Sequence, residues 1–401
     1  MTFTILHGNN LDILPTLPDN SVDSIVTDPP YELGFMGKGW DSSGIAYSVE
    51  LWAECLRVLK PGGHLLSFGG TRTFHRVAVA IEDAGFEIRD NIAWLYGSGF
   101  PKSLDVSKAI DKAAGAERVM KVNKRWAEKY PNGPGGNLSG NGRSEHFGQA
   151  KRITGNPILT SDPVSPEAEQ WNGWGTALKP AHEPIIVARK PLIGTVAHNV
   201  LTHGTGALNI DGSRVGGAPP SKPQPQLRPN EKDSGFALGA GTGRNGEMSN
   251  AQGRWPANII LDEHTAGLLD EQSDASRFFY VAKASKRDRN EGLDDFPLRK
   301  SDTRSEIAAG IWSEMESAKQ NFHPTVKPTA LMEYLVKLVT PPTGTVLDPF
   351  TGSGSTGKAA ILNGFDFIGI EMTEDYLPII KARLEHAETE FAEAQADKGL
   401  F

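Results

Sequence analysis

The two ends of this chain alternate short apolar runs rich in β-branched residues with segments of helical spacing, whereas the middle does not. Residues 22–27 are typical of a strand, and residues 48–59 place their apolar side chains on one helical face. Near the other end, residues 329–339 predict a helix and residues 367–370 a strand. This alternation predicts an α/β domain whose sheet is mostly parallel.

The remaining elements are predicted from the spacing of apolar residues and from Pro and Gly residues that end helices and strands. The triplet Pro61-Gly62-Gly63 is predicted to stop the helix at 48–59 before the next strand starts. Further strands are predicted at residues 2–6, 64–68, 86–94, 183–189, 258–261, 278–281 and 345–347. Further helices are predicted at residues 72–84, 358–363 and 376–394.

The middle of the chain has a different composition. Residues 112–174 and 204–253 are rich in Gly, Pro, Asn and Ser, and they lack an apolar period. Between them, residues 181–190 read as a strand that returns to the main sheet. We therefore expect one split domain, formed by residues 1–110 and 320–401, with an inserted region at 111–319.

Composition excludes several classes of protein. Of the 401 residues 38% are apolar, and no run approaches the roughly 18 apolar residues of a membrane span. The start of the chain also lacks a secretory pattern. The single cysteine, Cys55, excludes a disulfide framework and fits a reducing cytoplasm, and we assign it to the core. The histidines lack metal-ligand spacing, so we expect no metal. The net charge of −8 gives no overall indication of nucleic-acid binding. It does not decide the question, because phosphate binding depends on local Lys and Arg.

A glycine-rich loop follows the predicted strand at 345–347. Glycine lets the backbone turn sharply and lets a ligand approach where a Cβ would clash. The spacing Gly352-x-Gly354-x-x-Gly357 is by itself a weak signal, since it fits several nucleotide-type ligands.

Three ligands compete for this loop. A phosphate-binding P-loop is disfavoured because Ala359 stands where the magnesium-binding Ser or Thr belongs. A nicotinamide or flavin would use the same glycines with an acid roughly 20 residues later, as Glu371 is. S-adenosylmethionine is favoured by Asp348, whose carboxylate can accept from an ammonium group and would repel a pyrophosphate. Glu371 can accept from both ribose hydroxyls of any of the adenosine cofactors.

The tetrapeptide Asp28-Pro29-Pro30-Tyr31 directly follows the predicted strand at 22–27. Its two prolines lack N–H donors, so their carbonyls lie in a segment that mainly accepts hydrogen bonds. Asp28 adds a carboxylate acceptor and Tyr31 a flat aromatic face. Acceptors beside a stacking surface suit the amino group of a planar base. A turn that merely caps the strand is the alternative.

The chain resembles the β class of amino-group DNA methyltransferases, a permuted group with bacterial and phage members in which this tetrapeptide precedes the cofactor motif. The resemblance covers residues 1–110 and 320–385. Its matching blocks are residues 17–23, 28–31, 59–63, 321–328, 347–357 and 369–371. Residues 96–102 and 174–180 further resemble prophage-type members. One departure is Asn9, where many relatives carry aspartate.

The resemblance implies a Rossmann-like, S-adenosylmethionine-dependent methyltransferase fold that is circularly permuted, with helices on both faces of a twisted sheet. Residues 1–110 would be its catalytic half, 111–319 a target-recognition insertion and 320–401 its cofactor-binding half. The implied catalytic residues are Asp28, Pro29, Pro30 and Tyr31. The expected cofactor-binding residues are Asn9, Thr325, Lys327, Asp348, Pro349, Phe350, Thr351, Gly352, Ser353, Gly354, Thr356, Glu371 and Met372.

The resemblance also implies a substrate and a mechanism. The partner would be double-stranded DNA, with the target base flipped out of the helix. Asp28 and the Pro29 carbonyl would accept hydrogens from the amine, and methyl transfer would be direct displacement. Because cytosine-N4 enzymes more often carry Ser in place of Asp28, N6 of adenine is favoured. Cytosine N4, an RNA or protein substrate and an inactive DNA-binding module remain as alternatives. A homodimer and a cognate restriction endonuclease remain open as partners.

DNA contact is expected from basic and aromatic residues of the inserted region, since Lys and Arg bind phosphates. A solvated, charge-balanced surface is the alternative for each of them. They are Lys121, Lys124, Arg125, Trp126, Lys151, Arg152, Trp171, Trp174, Lys283, Lys286, Arg287 and Arg289.

Overall fold

The computed structural model describes residues 1–33, 39–97, 103–122, 159–216, 253–283, 287–300 and 318–397. The chain forms two compact units. The first comprises Met1–Ser98, Ala181–Arg304 and Glu314–Phe401, and the second comprises Gly99–Pro180 and Ser305–Ser313. The range 111–319, predicted as an insertion, therefore contributes to both units.

The described strands are numbered in chain order. They are β1 (Phe3–His7), β2 (Val22–Thr27), β3 (Leu59–Phe68), β4 (Glu87–Leu95), β5 (Met120–Val122), β6 (Leu159–Ser161), β7 (His182–Arg189), β8 (Ile259–Asp262), β9 (Tyr280–Ala282), β10 (Arg299–Lys300), β11 (Ala318–Lys319), β12 (Thr345–Asp348) and β13 (Asp366–Glu371). The first unit is built on a nine-stranded sheet of order β1-β13-β12-β2-β3-β7-β4-β8-β9. A short antiparallel pair, β10 and β11, accompanies it.

Strand direction in this sheet determines which residues share an edge. β7 is antiparallel to its two neighbours, β3 and β4, and the other neighbouring pairs are parallel. All strands except β7 therefore end at one edge of the sheet, which we call the carboxyl edge, and β7 begins there. Residues at the carboxyl edge include Thr27, Phe68, Glu183, Asp348 and Glu371.

Helices cover both faces of the sheet. The described helices are α1 (Asn10–Ile13), α2 (Val49–Val58), α3 (Phe74–Asp83), α4 (Val106–Ala113), α5 (Pro166–Gln170), α6 (Val196–His203), α7 (Glu263–Ser273), α8 (Arg287–Asn290), α9 (Thr329–Val339), α10 (Ser355–Leu362) and α11 (Leu377–Asp397). Single 3-10 turns lie at Leu14–Thr16, Gly39–Ser42, Ile45–Tyr47, Asp211–Ser213, Ser276–Phe278 and Glu374–Tyr376.

Two hydrophobic clusters show how the strands use both faces. Successive strand residues point to opposite faces, so Val26 joins the cluster that α9, α10 and α11 cover, while Ile25 joins the cluster beneath α2 and α3. The pairs Leu66 and Leu65, and Val346 and Leu347, divide in the same way. The mixed, mostly parallel sheet with helices on both sides confirms the predicted fold class.

The helix that carries Cys55 shows why this sequence folds locally as it does. Ser48 caps α2 by accepting a hydrogen bond from the Leu51 backbone N–H. Leu51, Trp52 and Cys55 follow at helical spacing, and all three are buried. Cys55 is a free, fully buried thiol, which confirms its assignment to the core.

Two predicted boundaries were wrong. The triplet Pro61-Gly62-Gly63 does not separate a helix from a strand, because β3 already begins at Leu59 and the pairing with β2 shifts register between Val22 and Ser24. Gly62, with φ of +78°, allows this bulge, and its N–H donates to the Lys190 carbonyl at 3.1 Å. Helix α10 starts at Ser355, three residues before the predicted Lys358, because Gly354 in the left-handed conformation serves as its N-cap.

The second unit is organised around the carboxylate of Asp111 on α4. Asp111 accepts hydrogen bonds from the backbone N–H groups of Val164 and Ser165, both at 3.0 Å, and from Arg118 Nε at 2.6 Å. Burial alone would raise the pKa of Asp111, but these donors hold it well below its usual range. The rings of Trp171 and Trp174 pack edge to face, 5.1 Å apart. Helix α5 and the antiparallel pair of β5 and β6 also belong to the described part of this unit.

In the described part of the chain, no helix combines the length and apolar character needed to cross a membrane.

Candidate active site

The two motifs identified in the sequence begin at the ends of neighbouring strands. β2 and β12 pair in parallel, with Ser24 opposite Val346 and Ile25 opposite Leu347. Thr27 Oγ1 donates to Asp348 Oδ1 at 2.7 Å, which links residues 321 positions apart. The tetrapeptide after β2 and the glycine loop after β12 consequently lie side by side at the carboxyl edge.

The Asp28 carboxylate has one committed and one uncommitted oxygen. Its Oδ2 lies 2.5 Å from Lys327 Nζ, which comes from the segment before α9. Its Oδ1 is buried and has no hydrogen-bond partner among the described residues. A buried acceptor without a donor is costly, and such groups often mark a place that a ligand fills.

Tyr31 and Lys327 share a second carboxylate, that of Glu183. The Tyr31 hydroxyl donates to Glu183 Oε2 at 2.8 Å, and Lys327 Nζ lies 3.5 Å from the same oxygen. Lys327 Nζ also lies 3.3 Å from the Tyr31 hydroxyl oxygen. Tyr96 follows β4 directly, and burial and then the negative charge of Glu183 raise the pKa of its hydroxyl to about 12. Two side chains from separate segments, Tyr31 and Lys327, thus meet at the Glu183 carboxylate.

The charges in this cluster perturb one another. Burial alone would lower the pKa of Lys327, but Asp28 and Glu183 together raise it, so its ammonium stays charged. Burial and the same two carboxylates raise the pKa of Tyr31 well above its usual range, so its hydroxyl keeps its proton. The cluster therefore contains two carboxylates, one ammonium and a neutral phenol.

Nothing in the sequence pattern marks Glu183 or Tyr96 as a site residue. The segment at 183–189 reads only as an apolar strand, and its antiparallel placement beside β3 brings its first residues to the carboxyl edge. The available signal was the resemblance of residues 96–102 and 174–180 to prophage-type enzymes, since both segments adjoin these positions.

The glycine loop turns sharply after β12. Gly352 has φ of +57° and Gly354 φ of +81°, conformations that favour glycine. The Gly352 N–H donates to Glu371 Oε2 at 2.8 Å, and the Thr373 N–H donates to Glu371 Oε1 at 2.7 Å. Each oxygen of the Glu371 carboxylate can accept one more hydrogen bond, so the residue can still bind two hydroxyl groups.

Most polar side chains of the loop are committed inside the protein. Asp348 accepts from the Thr27 hydroxyl at 2.7 Å and from the Phe350 N–H at 3.0 Å. The Thr351 hydroxyl donates to the Asp348 carbonyl at 3.1 Å. The buried Arg383 donates to the carbonyl and hydroxyl of Ser353. These side chains hold the loop in shape. A ligand would therefore contact the backbone of the loop and the residues around its edge.

The remaining predicted cofactor residues lie on the rim or just beneath it. Asn9 and Thr325 are exposed, and the Asn9 side chain caps α1 by accepting from the Leu11 N–H. Met372 is 59% exposed after β13. Phe350 is half-buried, and the Pro349 carbonyl beneath it accepts from Asn10 Nδ2 at 3.4 Å. All thirteen predicted cofactor residues thus belong to the carboxyl edge of the first unit or to its adjoining loops.

The His323 ring lies beside the glycine loop, next to Gly352. The sequence did not indicate this placement of His323. Its Nδ1 lies 2.6 Å from the Thr325 carbonyl oxygen, which can only accept, so Nδ1 carries a proton. Burial lowers the pKa of His323 to about 4, so the ring is neutral near pH 7 and its Nε2 keeps a lone pair. An atom in the place of a Gly352 Cβ would lie 3.0 Å from this nitrogen.

Lys358 bears on the P-loop alternative. Its side chain is buried and its Nζ pairs with Glu291, a residue just after α8. A phosphate-binding lysine would have to reach a ligand above the loop. The pairing of Lys358 therefore agrees with the sequence argument against an ATPase.

One group of potential metal ligands appears among the described residues. Ligand atoms of Glu291, His386 and Glu390 lie within 4.8 Å of one another. Glu291 is already paired with Lys358 and, at 2.5 Å, with Arg287. Two cations thus already pair with Glu291.

The residues expected to contact DNA are placed unevenly. Lys124, Arg125, Trp126, Lys151, Arg152 and Lys286 lie outside the described residues, as does the side chain of Lys121. Trp171, Trp174 and Lys283 are exposed. Arg289 instead donates to the backbone carbonyls of His323, at 2.8 Å, and Asn321, at 3.4 Å, because burial places its guanidinium against that loop. These contacts give Arg289 a structural role, and its phosphate contact stays a prediction.

The buried Asp348 predicts a pH-dependent stability. Burial raises the pKa of its carboxyl to about 6, above the usual value near 3.9 of an unfolded chain. The folded state therefore binds more protons between these values, so this group lowers the free energy of unfolding as pH rises from about 4 to about 6. In Asp348→Asn, we expect the free energy of unfolding to fall less between about pH 4 and about pH 6, by up to about 3 kcal/mol. Urea unfolding at several pH values measures it; an unchanged slope would contradict the prediction.

The family of the chain follows from comparison with known proteins. The sequence model of the DNA methylase family that comprises the N6 and N4 methyltransferases matches residues 22–382. The chain belongs to this DNA methylase family. The match contains both the tetrapeptide at 28–31 and the glycine loop.

Individual relatives match over shorter segments. This chain is 40% identical to the type II methyltransferase M.ScaI of Streptomyces caespitosus over 84 residues, which are 21% of this chain and 26% of the relative. It is 34% identical to the type II methyltransferase M.HpaI of Haemophilus parainfluenzae over 113 residues, 27% of this chain and 36% of the relative. The DNA adenine methyltransferase YhdJ of Escherichia coli is 43% identical over 74 residues, 18% of this chain and 25% of the relative. The matches thus span about a quarter to a third of these relatives.

Solved structures show a more distant likeness. The cytosine-N4-specific PvuII DNA methyltransferase has 14% identity and a TM-score of 0.46, with 98% of this chain and 91% of that chain covered. The complex of M1.HpyAVI with SAM has 16% identity and a TM-score of 0.41, with 96% and 99% covered. At these scores the likeness adds no argument to the topology described above.

Proposed function

We propose that the chain is a DNA methyltransferase that methylates the exocyclic N6 amine of adenine within a specific duplex sequence. The observation that carries the proposal is the buried, uncommitted Oδ1 of Asp28 at the strand end next to the glycine loop. An amine held there would donate one hydrogen to Asp28 and face whatever the loop binds. Positioning of two reactants at adjacent strand ends supplies much of the catalysis in such a transfer.

S-adenosylmethionine is the cofactor of this family and supplies a methyl group bound to a positively charged sulfur. The residues at the loop fit an adenosine cofactor. Glu371 has acceptor capacity left for two ribose hydroxyls, and the backbone at Gly352 leaves room that a Cβ would fill. Asn9 and Met372 would contribute rim contacts, while Thr325 and His323 would border the opposite side.

The catalytic residues act by orienting the amine and by stabilising the charge that it acquires. The Asp28 carboxylate and the Pro29 carbonyl accept the two amine hydrogens, which turns the nitrogen lone pair towards the loop. Tyr31 presents its ring to the flipped base, since an aromatic face stacks on any base. As the new nitrogen–carbon bond forms, the bond between the methyl group and the cofactor sulfur would break, and its electron pair would leave with the sulfur as a neutral thioether. The positive charge then develops on the amine, and the nearby carboxylates stabilise it. One amine proton then leaves to solvent.

Adenine is preferred to cytosine on the identity of residue 28. Cytosine-N4 enzymes more often carry Ser there, whereas the Asp28 side chain here has one oxygen 2.5 Å from Lys327 Nζ and a second oxygen left to accept from an amine. The 43% identity to an adenine methyltransferase over 74 residues agrees with this preference. Both bases present an amine beside a ring nitrogen, so cytosine N4 remains the alternative outcome of the test.

The remaining partners also belong to this proposal. Double-stranded DNA would be recognised by the segment 111–319, which includes the exposed Trp171 and Trp174 and the exposed Lys283. Duplex binding would require the target base to leave the stack before it reached Asp28 and Tyr31. A homodimer and a cognate restriction endonuclease would be consistent with the resemblance to modification enzymes.

Incubation with labelled S-adenosylmethionine and mixed-sequence duplex DNA tests the proposal directly. We expect label in the DNA and, after digestion to nucleosides, N6-methyladenine. N4-methylcytosine would select the alternative base. The absence of label from DNA, with cofactor binding intact, would overturn DNA as the substrate. A control reaction with the Asp28→Ala protein distinguishes enzymatic transfer from background methylation.

A further inference from the structure

A carboxylate outside the sequence motifs lies at the centre of the candidate active site. Glu183 is the second residue of β7, and its side chain is 20% exposed. It accepts the Tyr31 hydroxyl at 2.8 Å and lies 3.5 Å from Lys327 Nζ. Both partners come from motifs that the sequence identifies, whereas Glu183 comes from residues 181–190, which were expected only to return as a strand to the main sheet.

We propose that Glu183 is a positioning residue for methyl transfer: it fixes the Tyr31 ring and shares the Lys327 ammonium with Asp28, so that Asp28 keeps one oxygen for the target amine. This inference rests on the proposed function. It assigns to β7 a direct part in building the catalytic pocket.

The hydrogen bond to Glu183 determines the orientation of Tyr31. The Tyr31 carbonyl is held separately by the Thr73 hydroxyl at 2.8 Å, which fixes the backbone. The hydroxyl bond to Glu183 then fixes the far end of the side chain, so both ends of the residue are anchored. A ring held at both ends offers its face to a flipped base without losing freedom when the base arrives.

The position of Lys327 determines how Asp28 is used. Lys327 Nζ lies over the rings of Phe68, at 4.8 Å, and Tyr31, at 5.5 Å, and it touches Asp28 through Oδ2 alone. With Glu183 as its second carboxylate partner, the ammonium lies between two acids, and Asp28 Oδ1 stays free. Without Glu183, the ammonium would be drawn more fully to Asp28 and would compete with the incoming amine.

The formal charge of the cluster also supports a role for Glu183 in methyl transfer. Asp28, Lys327 and Glu183 together carry a formal charge of −1, because two carboxylates surround one ammonium. The target amine becomes positive as it is methylated, so a negative cluster beside it stabilises the transition state more than the ground state. Replacing Glu183 by a neutral residue makes the cluster neutral and removes that preference.

The test compares Glu183→Gln, Glu183→Ala and Tyr31→Phe by single-turnover methylation of DNA that the unmodified protein methylates. Gln keeps the size and an acceptor for Tyr31 but loses the charge, whereas Ala loses both. We expect the rate to fall at least about 10-fold in Glu183→Gln and further in Glu183→Ala, with cofactor affinity and melting temperature close to those of the parent. Fluorescence of 2-aminopurine at the target position reports base flipping independently of chemistry.

Coupling to Tyr31 separates positioning from general damage. Because Glu183 acts partly through the Tyr31 hydroxyl, the loss in the double variant should be smaller than the product of the two single losses. A Glu183→Gln rate within twofold of the parent, or fully independent effects, would overturn the proposal. A parent protein that labels no DNA would instead overturn the proposed function.

A matched control is available on the neighbouring strand. Glu87 begins β4 at the edge opposite the site, and it pairs with Arg189 at 2.6 Å. Glu87→Gln removes a carboxylate from the same sheet and breaks an ion pair, yet it should leave the single-turnover rate unchanged. A loss in Glu87→Gln as large as in Glu183→Gln would show that the effect comes from the sheet as a whole and would overturn the assignment of Glu183.

Discussion

Asp28→Ala should lower the single-turnover rate of methyl transfer about 100- to 1000-fold, the range seen when a group that stabilises transition-state charge is removed. The variant loses the buried Asp28 Oδ1, which has no hydrogen-bond partner among the described residues and lies at the strand end next to the glycine loop. It should still bind S-adenosylmethionine, because the loop and Glu371 lie on β12 and β13 and do not depend on the Asp28 side chain. Labelled methyl incorporation and calorimetric binding of the cofactor measure the two effects separately.

Asp28→Asn sharpens this prediction because it preserves shape. The amide has one acceptor oxygen, and Lys327 Nζ, which lies 2.5 Å from Asp28 Oδ2 in the parent, would take it. The amide nitrogen would then face the target amine, donor against donor. We expect a loss close to that of alanine, with a smaller effect on the melting temperature. Full turnover in either variant would remove Asp28 from the mechanism.

The parts of the fold that could be predicted are those with strong local patterns. The strand at 22–27 and the helix at 329–339 agree with the observed bounds to the residue, because a short run of β-branched residues next to turn residues and the helical spacing of apolar residues are both local signals. The bulge at Gly62 could not be predicted, since it depends on pairing with Lys190, which is distant in sequence.

The candidate site divides in a similar way. The motifs at 28–31 and 346–357 are local in sequence, and the parallel pairing of β2 and β12 brings them together as the order of a parallel sheet requires. Glu183 could not be predicted, because its role depends on the antiparallel insertion of β7 between β3 and β4. Nor could the sequence tell that Asp348 is turned inward to Thr27, a contact that only the folded sheet creates.

Gly352→Ala should raise the dissociation constant for S-adenosylmethionine about 10- to 100-fold, a change of roughly 1.4–2.7 kcal/mol. The new methyl group would meet His323 Nε2 at 3.0 Å and Cε1 at 3.1 Å, and the residue has φ of +57°, which strains any side chain. His323 cannot easily move away, because its Nδ1 is held by the Thr325 carbonyl at 2.6 Å and its ring packs against Tyr376 at 4.8 Å. The loop must shift instead, and the bond from the Gly352 N–H to Glu371 shifts with it.

Two further variants test that explanation by isothermal calorimetry. Gly267→Ala is the matched control, since Gly267 lies exposed in α7 with no atom within 4 Å of an added Cβ, and alanine there should stabilise the helix by up to about 1 kcal/mol without changing cofactor affinity. Removing the obstructing ring in a Gly352→Ala, His323→Ala protein should restore part of the lost affinity, because the clash disappears and only the backbone strain remains. Cofactor affinity equal to that of the parent in Gly352→Ala would mean that the loop does not approach the cofactor at this residue.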